Sequence, residues 1–353
     1  MDFSLFYFAN EQEAEADSTD RYGLLLEGAK FADTHGFTAV WTPERHFHEF
    51  GGIYPNPSVL GAAVAAVTEH VGIRAGSVVA PLHHPVRIAE EWSVVDNLSG
   101  GRAGVSFASG WHPHDFVLRP ENFADRKAKL ETIVEDVREL WRGGSVSCTD
   151  GTGETRSVRS YPRPVQAELP VWITSSGGPE TFRAAGRARA GLLTHLVGQS
   201  LEDLSDKVAL YREEYAARSG SDEDRGNVVL MLHTYLHEDG DVAKETVREP
   251  LTAYLRSFAG LTMSSGPKGR RIDPEALSPR HFDALVARSF ERYFDEGGLL
   301  GTLDKAVDVV ERVRKADVDE IACLIDFGVD REKVVAGFDL LGRLRAATSD
   351  RHR

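Results

Sequence analysis

A chain of 353 residues with 41% hydrophobic content carries enough apolar side chain to bury one large core or two ordinary ones, and a single domain of many βα units suits it. Lys and Arg number 41 against 55 Asp and Glu, a formal charge of −14, and no long basic block occurs, which argues against a nucleic-acid partner or an anionic membrane surface. Cys148 and Cys323 are the only cysteines and lack metal-ligand spacing, so a reducing, cytoplasmic setting is expected and a disulfide framework is not.

Residues 1–17, MDFSLFYFANEQEAEAD, have no basic flank and soon turn acidic, and so read as neither signal peptide nor membrane anchor. A first strand is predicted over 3–9 and a helix over 22–35, with Leu25, Ala29 and Ala32 near one face. The second strand, 37–41, runs into TPERHFHEF at 42–50, a denser polar and aromatic cluster than a solvated loop carries. A helix follows over 57–70. The stretch 73–111 then reads as strand, loop, helix, turn and strand. Its strand over 73–80 stops at Pro81. Pro85 sits in the first turn of a helix whose Ile88, Trp92, Val95 and Leu98 form a stripe, and Gly100 and Gly101 close it before a strand at 103–109. This is a βαβ crossover, which favours a parallel sheet. The strand ends are Gly76-Ser77 and Ser109-Gly110-Trp111. Small residues at the C-terminal ends of parallel strands leave room for a ligand, although they equally permit close packing.

Beyond the loop 112–122, a helix over 125–141 turns Leu130, Ile133, Val134, Val137 and Leu140 inward. Residues 143–168 break the rhythm with turn-rich, alternating sequence, an inserted hairpin. A strand at 170–174 leads to Ser175-Ser176-Gly177-Gly178-Pro179-Glu180-Thr181 and a helix start. Such a segment aims N–H groups and hydroxyls at one point, as a phosphate site does, and the same composition also makes an ordinary capped βα loop. Strands at 192–197 and 228–237, the latter containing His233, flank a helix over 201–217. Residues 239–300 depart from alternation, and the Gly-, Pro- and Arg-containing part at 262–280 reads either as a mobile lid or as disorder without function. A helix over 302–315, a strand at 320–326 and a helix over 333–346 finish the chain. Eight strands alternating with helices, with no early GxGxxG and no Walker-type loop, predict one (β/α)8 TIM barrel over 1–353 in preference to a doubly wound sheet.

Several of these stretches resemble the luciferase-like monooxygenases, the flavin-dependent barrel family that includes the bacterial luciferase subunits. TPERHFHEFGGIYPNPSVLGAA is similar to that family's second-strand signature, and PLHHPVRIAEEWSVVDNLSGGR to its third-helix signature. ASGWHPHDF, PVWITSSGGPETF, GLLTHLVGQS, LTAYLRSF and ACLIDFG resemble the FMN-dependent branch of polyketide and nonribosomal-peptide pathways, related to the mupirocin-pathway hydroxylase. The resemblance implies a barrel of the bacterial luciferase type that takes FMN, reduced by a separate flavin reductase, at its C-terminal mouth. With dioxygen as co-substrate it would oxygenate, most simply hydroxylate, a secondary-metabolite intermediate that is free or tethered to a carrier protein. Pairing as a homodimer through the helices beside the second and third strands is also implied.

Residue by residue, the resemblance assigns His46 to proton management at the flavin, against a structural alternative in which it bonds a carboxylate such as Glu44. Arg45 replaces the first of two adjacent luciferase histidines, so light emission with an aldehyde is not expected. Gly76 and Ser77 match a strand end where the family often carries a non-proline cis peptide beside the flavin ring. Ser109 belongs to the same cofactor site but stands where luciferase has a phosphate-binding arginine; Ser176, Gly177, Gly178 and Thr181 match the phosphate loop. Trp111 and His233 are candidates for the substrate pocket or for packing, while His83 and His84 have only the motif to recommend them. No metal is expected. Two other chemistries compete: hydride transfer with a deazaflavin on the same barrel, and metal-dependent hydrolysis using the HxH pair His46 and His48 with His195, His233 and Asp326 as further ligands. Against the hydrolase, the 170–174 strand supplies no ligand.

Overall fold

The computed structural model describes residues 1–9, 20–219, 224–264 and 279–349. Its strands in chain order are β1 (Asp2–Tyr7), β2 (Ala39–Thr42), β3 (Gly72–Val79), β4 (Ala103–Ala108), β5 (Val146–Thr149), β6 (Thr155–Val158), β7 (Val171–Ser175), β8 (Gly191–His195), β9 (Val228–Leu236), β10 (Leu299–Gly301) and β11 (Glu320–Asp326). Parallel pairing runs β9-β11-β1-β2-β3-β4-β7-β8, and β8 returns to β9 with Leu192 opposite Val228, so eight strands close into a barrel. The strands read as near-continuous apolar runs because both faces are covered: side chains fill the interior, and helices pack outside.

The helices are α1 (Gly23–Thr34), α2 (Pro57–Ala65), α3 (Pro85–Ser99), α4 (Arg126–Arg142), α5 (Pro179–Arg187), α6 (Leu201–Ser219), α7 (Gly240–Ser264), α8 (Pro279–Arg292), α9 (Leu303–Lys315), α10 (Arg331–Ala336) and α11 (Phe338–Thr348). None among the described residues is long and apolar enough to cross a membrane. Antiparallel β5 and β6 form a two-stranded sheet of their own, outside the barrel.

Three details differ from the sequence reading. The helix expected over 57–70 stops at Ala65, because the Asp33 carboxylate accepts the backbone N–H groups of Glu69, His70 and Val71, at 3.0, 2.6 and 2.8 Å, and so fixes that segment outside a helix. The closing helix splits at Gly337, where an added Cβ would come 3.2 Å from the Leu236 carbonyl oxygen. Inside the 239–300 insertion, β10 adds a short parallel strand to β9, with Leu299 opposite Thr234. The candidate lid is described only at its ends, as the close of α7 and the start of α8; residues 265–278 lie outside the described residues.

A polar cluster sits inside the barrel toward the N-terminal ends of its strands. Arg74 Nη1 donates to both Glu320 oxygens, at 3.1 and 2.9 Å, and the guanidinium lies 5.0 Å from the Trp41 ring and 4.5 Å from the Trp172 ring. Ser4 Oγ and Trp41 Nε1 also donate to Glu320 Oε1, at 2.5 and 3.2 Å. Both oxygens of this buried carboxylate thus have donors at the N-terminal end of the barrel.

Candidate active site

The C-terminal strand ends converge on Glu44, two residues beyond β2. Its side chain is 1% exposed, and its Oε1 accepts from His46 Nε2 at 2.7 Å and from His83 Nε2 at 2.6 Å, while Oε2 accepts the Val79 N–H at 2.7 Å. One carboxylate thus fastens the loop after β2 to the end of β3 and to the turn before α3. Burial works against the charged carboxylate, but the hydrogen bonds from His46 and His83, the charge of His83 and the Val79 amide together hold its pKa below the ordinary value. Burial likewise disfavours a charged His83, yet the hydrogen bond and charge of Glu44 outweigh it and raise that pKa. With Glu44 ionised, each imidazole presents its proton to the carboxylate on Nε2, which leaves His46 Nδ1 without that proton. The carboxylate expected as an alternative partner of His46 is therefore present, and its geometry suits a proton-handling histidine as well as a structural one.

Beside this clamp, Arg45 Nη1 donates to Asp115 Oδ2 at 2.8 Å, with both side chains buried, and the guanidinium stands 5.4 Å from the Trp111 ring centroid. Trp111 is 42% exposed at the mouth. Burial raises the Asp115 pKa and Arg45 only partly offsets that; burial with the Arg45 charge lowers His112 to about 4. The Gly76–Ser77 peptide is cis. Ser77 Oγ and Ser106 Oγ both meet Thr174 Oγ1, at 2.5 and 2.6 Å, linking β3, β4 and β7 just below the mouth. Ser109 turns its hydroxyl to the Gly110 carbonyl at 3.4 Å, and Arg126 Nε donates to the same oxygen at 3.1 Å.

After β7 the chain turns at Gly177, with φ of +108°, and α5 begins behind Gly178, whose position gives no side-chain cap to the first-turn amides. A Cβ at Gly178 would meet only Thr181 Oγ1, at 3.7 Å, so the approach to the helix terminus is open. Lys207 from α6 reaches the same place. Its Nζ donates to Gln199 Oε1 at 2.8 Å and lies 3.7 Å from where a Gly177 Cβ would stand. A flavin phosphate fits here: Ser176, Gly177, Gly178 and Thr181 offer an uncapped helix N-terminus and hydroxyls, and Lys207 supplies a cation where Ser109 cannot. The sequence reading did not single out Lys207, which sits inside an unremarkable helix, and had only the motif to recommend His83.

His233 does not line open space. It is fully buried, caged by the rings of Tyr254, Tyr293 and Phe327 at 4.3, 5.2 and 5.2 Å, with Nδ1 3.1 Å from the Tyr293 hydroxyl. The HxH pair does not aim at one point either: His46 Nε2 is engaged by Glu44, and His48 Nδ1 accepts the Phe50 N–H at 2.9 Å. Among the described residues no three His, Cys, Asp or Glu side chains converge to hold a metal ion.

The profile of one protein family, described as luciferase-like monooxygenase, matches residues 1–320. The chain is 24% identical over 347 residues to the oxygenase component of flavin-dependent trigonelline monooxygenase from Acinetobacter baylyi, covering 96% of this chain and 93% of that one. It is 25% identical over 329 residues to 4-hydroxyprotoasukamycin monooxygenase from Streptomyces nodosus subsp. asukaensis, covering 91% and 85%. Monooxygenase RslO1 from Streptomyces bottropensis superposes with a TM-score of 0.80 at 25% identity, over 99% of this chain and 100% of that chain. An F420-dependent secondary alcohol dehydrogenase shares the fold, with a TM-score of 0.71 at 19% identity over 99% and 100%.

Proposed function

Because this chain belongs to the luciferase-like monooxygenase family, we propose that it is the single-domain oxygenase component of a two-component system, taking reduced FMN from a separate flavin reductase and using dioxygen to hydroxylate a secondary-metabolite intermediate, free or carrier-tethered. The observation that carries this reading is the meeting, at one barrel mouth, of an uncapped helix N-terminus beside Lys207 and a histidine clamped by a buried carboxylate. Bound FMN supplies the electrons that activate dioxygen and the oxygen-transfer chemistry. The chain's own residues do the rest. Ser176, Gly177, Gly178, Thr181 and Lys207 would bind the phosphate, with Ser109 beside it in place of the family's arginine; Gly76 and Ser77 would border the ring; His46 would hold and move a proton at Nδ1, fixed in orientation by Glu44; Trp111 would help to exclude water. Similarity to 4-hydroxyprotoasukamycin monooxygenase supports the secondary-metabolite part of the reading.

The test is anaerobic titration of the protein with reduced FMN, followed by an oxygen pulse and stopped-flow absorbance. Reduced FMN is expected to bind, and His46→Ala to change the rate at which bound flavin returns to the oxidised form by about tenfold or more. An unchanged rate would remove His46 from the chemistry. The F420-dependent relative in fold keeps hydride transfer as a second reading, favoured if the deazaflavin binds in place of FMN and no oxygen is consumed.

We also propose that the chain pairs as a homodimer through α2 and α3, where Val59, Val94 and Leu98 are 63%, 44% and 59% exposed. Light scattering after gel filtration should report a dimer for the native chain and a monomer for Leu98→Glu. A monomeric native protein would end this part of the reading.

A further inference from the structure

Arg45 has donors that the protein does not use. Its side chain is buried, and Nη1 is committed to Asp115 Oδ2 at 2.8 Å, but Nε and Nη2 have no hydrogen-bond partner. These two nitrogens form one edge of the guanidinium, with parallel N–H bonds spaced to match the two oxygens of a carboxylate. Asp115 Oδ1 and His112 Nδ1, in the same cluster, are also without partners. Half of the eight such buried side-chain atoms among the described residues therefore gather around one arginine. Buried donors left unpaired are costly, which makes the free edge of Arg45 at a site mouth a contact for an acceptor ligand, while Asp115 Oδ1 is left for a donor such as water.

The surroundings define that ligand. Burial and the Arg45 charge together lower the pKa of both His48 and His112, so they add no competing cations near neutral pH. Of the nearby carboxylates, Glu44 is taken up by His46 and His83, and Asp115 holds only one corner of the guanidinium. The Trp111 ring lies over the guanidinium and is partly exposed; the Phe47 ring, 53% exposed, stands 5.6 Å from His46 and 5.9 Å from His114. Both rings stand beside the cluster and offer a molecule entering the mouth flat apolar faces.

We propose that the Nε–Nη2 edge of Arg45 binds a carboxylate of the substrate, which makes the substrate class an organic acid with a flat apolar body. The proposal rests on the monooxygenase reading for the identity of the mouth as the reaction site, and not for the anion site itself. Its test is calorimetric titration of the full chain, with and without bound FMN, using benzoate, benzamide and inorganic phosphate as probes. Benzoate should bind at least tenfold more tightly than benzamide, and Arg45→Lys, which keeps the charge for Asp115 but loses the parallel edge, should weaken benzoate about tenfold or more. FMN affinity should be unchanged in that variant, and its melting temperature close to native.

Failure of benzoate to bind, equal binding of benzoate and benzamide, or benzoate binding that survives Arg45→Lys would each overturn the proposal. So would a loss in Arg45→Lys of affinity for FMN but not for riboflavin, with phosphate competing, because the edge would then serve the cofactor. A protein that binds benzoate through Arg45 but binds no flavin would sink the monooxygenase reading and leave the carboxylate site standing.

Discussion

Glu44→Gln is expected to lower oxygenation turnover by about 10²–10³-fold while flavin affinity stays within a few-fold, the size of loss that follows when a proton-handling group is misoriented. Two imidazole Nε2–H groups and one backbone N–H converge on this carboxylate, and a primary amide offers only one oxygen in place of two. With the amide oxygen at the Oε1 position the NH2 group faces the Val79 N–H donor, and with the amide turned round both imidazoles lose their acceptor; in either case the negative charge that orients His46 is gone, and a His46 protonated on Nδ1 no longer presents a free base there. The measurement is product formed with reduced FMN in excess, beside an anaerobic FMN titration. Turnover within threefold of native would remove Glu44 from the proposed role.

The same substitution should flatten the pH dependence of stability. The folded-state pKa of His83 is raised, so its contribution is complete below about 6.5 and lost as pH rises through the folded value; that of Glu44 is lowered, so its contribution is complete above about 4.5 and lost as pH falls through the folded value. The pair therefore stabilises most between those limits. Melting curves across pH 4–8 should show the native advantage over Glu44→Gln widest in that window, and an advantage that keeps growing above it would contradict the assignment.

Arg74→Met is expected to destabilise the barrel by about 3–5 kcal/mol, because it strips the counter-charge from a Glu320 side chain that is only 2% exposed. Methionine replaces the apolar stem but gives Trp41 and Trp172 no cation and Glu320 no donor. Ser4 and Trp41 still donate, which is too little for an ionised carboxylate away from water. Adding Glu320→Gln should recover much of the loss, since no buried charge then remains unpaired. Denaturant unfolding of the single and double variants checks both statements; a double variant as unstable as the single would show that the cost lies in packing.

The barrel was legible in the sequence because most of its strands are short apolar runs with a Gly or Pro close to an end, and hydrophobic period reports which segments are buried on both faces. The 73–109 unit specified its own crossover through Pro81, Pro85 and the Gly100-Gly101 turn, all local features. The Ser-Gly loop before α5 was legible for the same reason, since strand, small residues and helix start are contiguous. Only the tertiary structure decided the partners. Glu44 finds His83 39 positions away, Arg45 finds Asp115 70 away and Arg74 finds Glu320 246 away, and burial patterns carry no record of which polar group answers which. His233, inside β9, was open to a pocket or a packing role in the sequence, and the rings of α7, the turn after α8 and the loop after β11 close over it. Backbone order follows from local chemistry; the site follows from closing the barrel, which brings loops distant in sequence within hydrogen-bonding reach.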